Sequence, residues 1–449
     1  MDFEETEYSK DYLVLKPKDA TLKDVFLSLL PSGSTKIQNL IICPDDKVEN
    51  YTNFKARRDI FFSILVLKFL FSLASLLKIL GRFCFSLKRF FFNYIRRSIY
   101  IFLTPNRSHI TSEADLSMVR VANAPPSNVA WSPQLIDLST SISKGQTSGI
   151  HSLVPDNFAC TMPSLPKVRC REWQIMDPND NTMNVQDRYF RYYSALTIMA
   201  SKLAYKDHSL IYSVVTQCWK MDLIGCFNFR NDFLETGSTH AFMFEDKSKD
   251  VTVVAFKGTS LFDPTDWMID SNFSFHGVDG VGLIHYGFMQ ALGYQKNTGW
   301  PKDLPKLAHH DFAYYALRRK LRHIAKSNHN AKFIITGHSL GGALATLFVT
   351  LLAHHKETTL LRKIQGVYTY GQPRLGDQNF AQFMVKAIET YDIKYYRYVY
   401  SFDLVPRVPF NCTISNYKHF GGCIFFNCFY NGKLPPDRKE DFAQCIEAD

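Results

Sequence analysis

The feature that most constrains the fold is a glycine-rich turn between an apolar strand pattern and an Ala/Leu-rich helix pattern. It reads AKFIITGHSLGGALATLFVTLLA over residues 331–353. Gly337 and Gly341 would let the strand and the helix approach closely, which would hold Ser339 in a tight turn at the sheet edge. A serine at the positive end of a helix, in this GxSxG context, is typical of a catalytic nucleophile. A glycine-rich turn without chemistry is the alternative.

Short β-rich segments alternate with long helical patterns from about residue 171 onward. The segments are VTVVAFKG, AKFIITGHS, IQGVYTYG and IKYYRYVYS. Strands that alternate with helices predict a mostly parallel sheet covered on both faces. We therefore expect an α/β fold of the α/β-hydrolase type over residues 171–449.

A nucleophilic serine needs a general base, and the base needs an acid that orients it. In this fold the acid and then a histidine follow the serine along the chain. Asp403 comes directly after the Tyr/Val-rich segment KYYRYVYSF, at the end of a predicted strand. We predict Asp403 as the acid. The alternative is a loop aspartate that caps a turn before Pro406.

The general base is the weakest part of the prediction. His419, in YKHFG, is the one histidine after Asp403 in the chain. It either serves as the base or packs at the sheet edge, in which case the chain supplies no base after Asp403. His338 precedes Ser339, so its side chain should point away from the serine, and we expect a structural role.

The oxyanion of a tetrahedral intermediate needs hydrogen-bond donors. The backbone N–H of Leu340, directly after the nucleophile, is one predicted donor. Thr259 follows the predicted strand in VTVVAFKGTS and is the other. A plain β-turn at Thr259 is the alternative.

The net charge of +10 is concentrated near the N-terminus. Residues 55–107 contain eleven basic residues and one acidic residue, and residues 61–80 read FFSILVLKFLFSLASLLKIL. An apolar, Phe-rich stretch with flanking cations predicts a helical region that lies on a phospholipid surface. A bilayer-spanning helix and an ordinary buried hairpin remain open. Because the rest of the chain is close to neutral, we expect no binding to nucleic acid.

The predicted organisation has four parts. They are an appendage (1–60), a membrane or lipid-droplet anchor (61–105), an irregular Ser/Pro/Asn-rich linker (106–170) and a hydrolase domain (171–449). The acidic start of the chain lacks the pattern of a secretory signal, which predicts a cytosolic-side location. The ten cysteines show no CxxC pair, so we expect free thiols.

Five motifs in order resemble the class 3 lipase family, the fungal-lipase type of α/β-hydrolase. They are KGTSLFDPTDW, IHYGF, GHSLGGALATL, YTYGQPRLGD and YSFDLVPRVP, within residues 171–432. The long N-terminal extension and YKHFGGCIFFN further resemble plant oil-body triacylglycerol lipases. The resemblance implies Ser339 as nucleophile, Asp403 as acid, Thr259 in the oxyanion hole, a lid over residues 261–275, and a structural His285.

The resemblance implies hydrolysis of lipid carboxylic esters, with triacylglycerol as the leading substrate and no metal or organic cofactor. The predicted location is the surface of a lipid droplet or of the endoplasmic reticulum membrane. A phospholipase or a monoacylglycerol lipase is one alternative. In the family, the catalytic histidine belongs to a further C-terminal segment, which residues 433–449 do not resemble. The second alternative is therefore a catalytically impaired protein that binds lipid droplets.

Overall fold

A computed structural model of the chain defines two sheets and the helices that pack on them. The residues that it describes are 11–17, 19–30, 37–69, 72, 185–258, 274–296, 298–304, 311–411, 414, 416–427 and 432–433. The predicted linker, most of the anchor, Thr259 and nearly all of the predicted lid lie outside these residues, as does the C-terminal stretch after Lys433.

An eight-stranded mixed sheet forms the centre of the residues predicted as the hydrolase domain. Its strands lie in the order β12-β11-β10-β9-β8-β5-β4-β3. The five strands β5, β8, β9, β10 and β11 run parallel, with antiparallel strands at both edges. The predicted α/β fold with a mostly parallel sheet is confirmed. The strands are β3 (Asp222–Asn231), β4 (Thr236–Asp246), β5 (Val251–Phe256), β8 (Lys332–His338), β9 (Ile364–Tyr370), β10 (Lys394–Tyr400), β11 (Gly422–Phe426) and β12 (Gly432–Lys433).

Helices cover both faces of this sheet. Side chains alternate between the faces of a strand. Accordingly Phe333 and Ile335 of β8 enter one core, whereas Ile334 between them enters the other. The first core contains the helix Leu340–His354 and the second contains the helix Val185–Leu203. The helices are α1 (Leu22–Leu27), α2 (residues 54–69), α3 (Val185–Leu203), α4 (His208–Ser213), α5 (Tyr286–Leu292), α6 (Ala313–Ser327), α7 (Leu340–His354), α8 (Thr358–Leu361) and α9 (Gln378–Thr390).

The N-terminal residues contribute to a second, four-stranded sheet. Its order is β2-β1-β6-β7. The strands are β1 (Tyr12–Leu15), β2 (Ile41–Ile42), β6 (Phe275–Val278) and β7 (Gly282–His285). Strand β1 pairs with β6 in an antiparallel register, so that Leu13 lies opposite Phe275. The predicted appendage is therefore joined to β6 and β7 of the predicted hydrolase domain by backbone hydrogen bonds and a shared apolar core.

The described start of the predicted anchor is a helix with one buried face. Ile60, Phe61, Ile64 and Leu67 of α2 pack in the apolar core shared with β1. The other face exposes apolar side chains. Within the described residues, no helix is both long and apolar enough to cross a bilayer. Residues 61–69 thus belong to a helix with one apolar face buried and apolar side chains on its outer face. Nearly all of residues 70–103 lie outside the described part.

The cysteines correct one expectation. Cys43, Cys226 and Cys423 are thiols outside any disulfide, as predicted, whereas Cys218 is disulfide-bonded. Burial raises the pKa of the Cys226 thiol to about 12, so this thiol stays protonated at neutral pH.

Replacing Ile64 by Ala should destabilise the N-terminal core. Its side chain is completely buried, and removing such a side chain leaves a cavity that costs about 2–5 kcal/mol. Val66 is the matched control, since it lies on the same helix and is 50% exposed. Val66→Ala should change the free energy of unfolding by no more than about 0.5 kcal/mol. Equal effects of the two variants in urea denaturation would contradict the packing of α2.

Candidate active site

Ser339 occupies a strained turn between β8 and α7. Its φ of 57° and ψ of −129° are a backbone conformation that non-glycine residues rarely adopt. Two backbone hydrogen bonds hold it. The N–H of Ser339 donates to the carbonyl of Tyr370 at 2.8 Å, and the carbonyl of Ser339 accepts from the N–H of Gly342 at 2.9 Å. The serine is thereby fixed at the carboxyl edge of the parallel strands, as its sequence context predicts.

Glycines allow this turn to form. A Cβ on Gly337 would lie 2.2 Å from the backbone of Gly341, and a Cβ on Gly341 would lie 2.4 Å from the carbonyl oxygen of Phe256. Any side chain at either position would therefore clash with backbone. The same Gly341 position is 3.0 Å from the backbone nitrogen of Gly258. The segment that leads to Thr259 therefore passes beside the serine turn.

Leu340 is the first residue of α7, directly after Ser339. The first N–H groups of a helix have no partner within the helix, so they can donate to an anion. The backbone of Leu340 thus suits the predicted oxyanion role. The second predicted donor, Thr259, lies outside the described residues.

Asp403 lies at the same sheet edge as Ser339. It follows β10, and its N–H donates to the carbonyl of Tyr400 at 3.0 Å. One carboxylate oxygen, Oδ1, accepts from the N–H of Val405 at 3.0 Å, which caps the turn before Pro406. The other oxygen, Oδ2, lies 2.6 Å from where a Cβ on Gly371 would be. Gly371 follows Tyr370, the residue that accepts the Ser339 N–H, so the carboxylate and the serine flank the end of one strand.

His338 lies in the polar surroundings of Asp403. Its Nδ1 is joined to the Tyr205 hydroxyl by a hydrogen bond of 2.9 Å, and its Nε2 lies 3.7 Å from the same Cβ position at Gly371. Desolvation lowers the pKa of His338 below its usual value, and the carboxylate of Asp403 partly offsets this. The ring is therefore neutral at pH 7. Sequence reasoning missed Tyr205, because no motif distinguishes it.

His419 does not have the hydrogen bonding of a triad base. Its Nε2 lies 2.7 Å from the carbonyl oxygen of Pro406. A carbonyl only accepts, so Nε2 carries the proton, whereas a triad base needs a free lone pair on Nε2. Desolvation, together with the positive charges of Arg397 and Arg374, lowers the pKa of His419 well below its usual value. Among the described residues, no hydrogen bond joins His419 to Ser339 or Asp403.

The remaining predicted histidine, His285, is completely buried. Its ring stacks on Phe288 with ring centroids 4.0 Å apart. This packing suits a structural role at the start of α5. In the described part of the chain, no group of three or more His, Cys, Asp or Glu side chains could hold a metal ion.

Residues 253–413 match the family model of class 3 lipases. The match includes the Ser339 turn and Asp403. Over 265 residues the chain is 39% identical to triacylglycerol lipase OBL1 of Arabidopsis thaliana, covering 55% of this chain and 51% of that protein. It is 37% identical to OBL1 of Ricinus communis over 262 residues, covering 53% and 50%. The predicted resemblance to class 3 lipases, and to the plant enzymes among them, is confirmed.

The chain spans about half the length of the curated relatives that it matches. Among solved structures, the triacylglyceride lipase of Rhizomucor miehei aligns with a TM-score of 0.40 and 22% identity. That alignment covers 55% of this chain and 82% of the fungal chain.

Replacing Gly371 by Ala should misplace the carboxylate of Asp403. The added methyl would lie 2.6 Å from Oδ2, so the side chain must move, and small displacements of a catalytic group can cost about 100-fold in rate. Gly371 also has a φ of +59°, so the variant should lose about 1–2 kcal/mol of stability. Hydrolysis of a short acyl ester and urea denaturation measure the two effects.

Gly280 provides the matched control for this variant. Its φ of +72° imposes the same kind of backbone strain, but a Cβ there would meet nothing within 4 Å. Gly280→Ala should therefore lose similar stability and keep its activity. If both variants lose activity equally, strain rather than displacement of Asp403 is the cause.

Proposed function

We propose that this chain, which carries a class 3 lipase segment, hydrolyses the carboxylic ester bonds of lipids, with triacylglycerol as its main substrate. The strained Ser339 turn, with the carboxylate of Asp403 at the same sheet edge, is the observation that carries the proposal. Relatives named as triacylglycerol lipases support the choice of substrate. Hydrolysis rates on triacylglycerol, monoacylglycerol and phospholipid distinguish among these substrates.

The chemistry is acyl transfer to the serine and then to water. Ser339 Oγ attacks the acyl carbonyl while a base, oriented by Asp403, takes its proton. Charge on the carbonyl oxygen is stabilised by the N–H of Leu340 and by Thr259. The alcohol leaves with that proton. Water then attacks the acyl-enzyme, releasing the fatty acid and restoring the serine.

Exposed apolar side chains support the proposal that the protein works at a lipid surface. Phe402, Leu404 and Phe410 lie on either side of Asp403 along the chain and are 72%, 67% and 65% exposed. The outer face of α2 exposes Phe62 and Phe69 as well. Large exposed apolar side chains in clusters mark surfaces that contact lipid or another protein. We propose a lipid droplet or the cytosolic side of the endoplasmic reticulum membrane as that surface.

The hydrogen bond of His419 favours a second candidate function. With its Nε2 donating to Pro406, His419 is not arranged to accept the proton of Ser339. A chain with the nucleophile and the acid but no base would hydrolyse esters only slowly. It would then act as a lipid-surface binding protein that retains the lipase fold.

Replacing Ser339 by Ala should reduce ester hydrolysis to the background rate, because no other nucleophile replaces its hydroxyl. Asp403→Asn should reduce the rate by about three to four orders of magnitude, by analogy with other triads. Emulsified triacylglycerol, monoacylglycerol and phospholipid are the three substrates. Asp392→Asn is the matched control, since Asp392 is exposed and pairs with Lys394, and it should keep full activity.

The wild-type rate separates the two candidate functions. A wild type that is no faster than Ser339→Ala but still binds lipid droplets supports the binding protein. If the wild type is active, His419→Phe tests the base. Loss of activity to the level of Ser339→Ala, with the fold retained, would identify His419 as the base.

Replacing Phe62 and Phe69 by Ser should weaken flotation with triacylglycerol droplets. Both side chains are exposed, so their replacement leaves the buried face of α2 intact. Burying a phenylalanine side chain in lipid contributes about 1.5–3 kcal/mol of binding free energy, which each replacement removes. Phe410→Ser tests the face beside Asp403 separately. Unchanged flotation of all variants would place the lipid contact in another part of the chain.

A further inference from the structure

Arg397 is a buried cation in the middle of β10. The residue is 1% exposed. Among the described residues, nothing accepts a hydrogen bond from its Nε or Nη1. Burying a guanidinium with two of its three nitrogens unsatisfied costs free energy. Such a group is retained more easily if a ligand supplies the missing negative charge.

Arg397 lines a cavity of about 450 Å³ between β10 and α9. Asn411 and residues 417–421 form another wall. Among the described residues that line the cavity, the cationic side chains are Arg374, Lys386, Arg397 and Lys418, and the one carboxylate is Glu389. Four positive charges against one negative charge leave an excess of three. This cavity therefore favours an anion.

His419 adds a hydrogen-bonding group but no compensating charge. It also lines the cavity. Its Nε2 donates to the carbonyl of Pro406, so Nδ1 is the ring nitrogen that can accept a hydrogen bond. The positive charges of Arg397 and Arg374 help to keep the ring neutral, and a bound anion would oppose that effect. Protonation of His419 should therefore report whether the cavity is occupied.

Apolar walls indicate that the anion carries a hydrocarbon tail. Ala381, Val385, Tyr417 and Phe420 line the cavity beside the cations. The volume is within the range of small-molecule pockets, and it exceeds what a single small ion needs. A guanidinium presents parallel N–H donors that match a carboxylate. Ser339, Leu340 and Asp403 are not among the lining residues, so the cavity is separate from the candidate active site.

We propose that this cavity binds the carboxylate of a short-chain amphiphilic acid, with Arg397 as the residue that anchors the carboxylate. The proposal holds whether or not Ser339 is active, because it depends on different residues. Bound acid would neutralise Arg397 and fill the space under α9.

Calorimetric titration of the full chain with octanoate, below its micelle concentration, tests the proposal. Octanol matches the tail without the charge, and inorganic phosphate matches the charge without the tail. Arg397→Met keeps the length of the side chain and removes the charge. Arg319→Met is the matched control, because Arg319 lies exposed on α6 and pairs with Asp311.

Octanoate should bind the wild type and Arg319→Met alike, and more tightly than octanol or phosphate. Arg397→Met should weaken the binding about ten- to a hundredfold, as expected for loss of a charge-assisted hydrogen bond. If octanoate bound at Ser339 instead, the Arg397→Met variant would bind it as tightly as the wild type does. Equal affinity of Arg397→Met and the wild type, or of octanol and octanoate, would overturn the proposal. Phosphate that binds as tightly as octanoate would overturn the choice of an amphiphilic acid.

Two further measurements remain decisive if Arg397→Met fails to fold. Lys418→Met removes a less buried cation from the same cavity and should weaken octanoate binding several-fold. In the wild type, octanoate should raise the pKa of His419. The pH dependence of the ring proton resonances of His419 measures this pKa. An unchanged His419 titration with octanoate bound would place the octanoate elsewhere.

Discussion

The close approach of β8, α7 and the end of β5 is the constraint on which the site depends. Gly337 and Gly341 bring backbone to within distances that no side chain allows. This contact does two things at once. It forces Ser339 into its unusual conformation, and it places Gly258, at the start of the Thr259 loop, beside the serine. The predicted nucleophile and the residue that leads to the predicted oxyanion donor are thus positioned by one packing contact between main chains.

A second arrangement of groups surrounds Asp403, the predicted acid. The left-handed conformation and missing side chain of Gly371 make room for Oδ2 of Asp403, while Oδ1 is used to cap the following turn. His338, which is hydrogen-bonded to the Tyr205 hydroxyl, lies near the same carboxylate. The carboxylate is therefore held by main-chain geometry on one side and approached by a neutral ring on the other. An acid with this support can keep its orientation without a direct ion pair.

The sequence predicts well what local patterns determine. The four β-rich segments become β5, β8, β9 and β10, and the Ser339 turn forms where its glycines require it. Other features depend on residues that are distant in sequence, so no local pattern signals them. The packing of α2 on β1 needs the partner strand β6, and the proton on Nε2 of His419 is set by Pro406. Arg397 is one of 52 Lys and Arg residues in the sequence, and its burial with two unsatisfied nitrogens distinguishes it only in the structure.

The pairing of β1 with β6 has a consequence for synthesis on the ribosome. Leu15 donates its backbone N–H to the hydroxyl of Ser274, a contact between residues 259 positions apart. When β1 leaves the ribosome, its partner strand does not yet exist, and an unpaired apolar edge strand is prone to associate with other chains. Closing so long a loop is also slow. The N-terminal segment should therefore be a site where chaperones bind the nascent chain until β6 and β7 have been made.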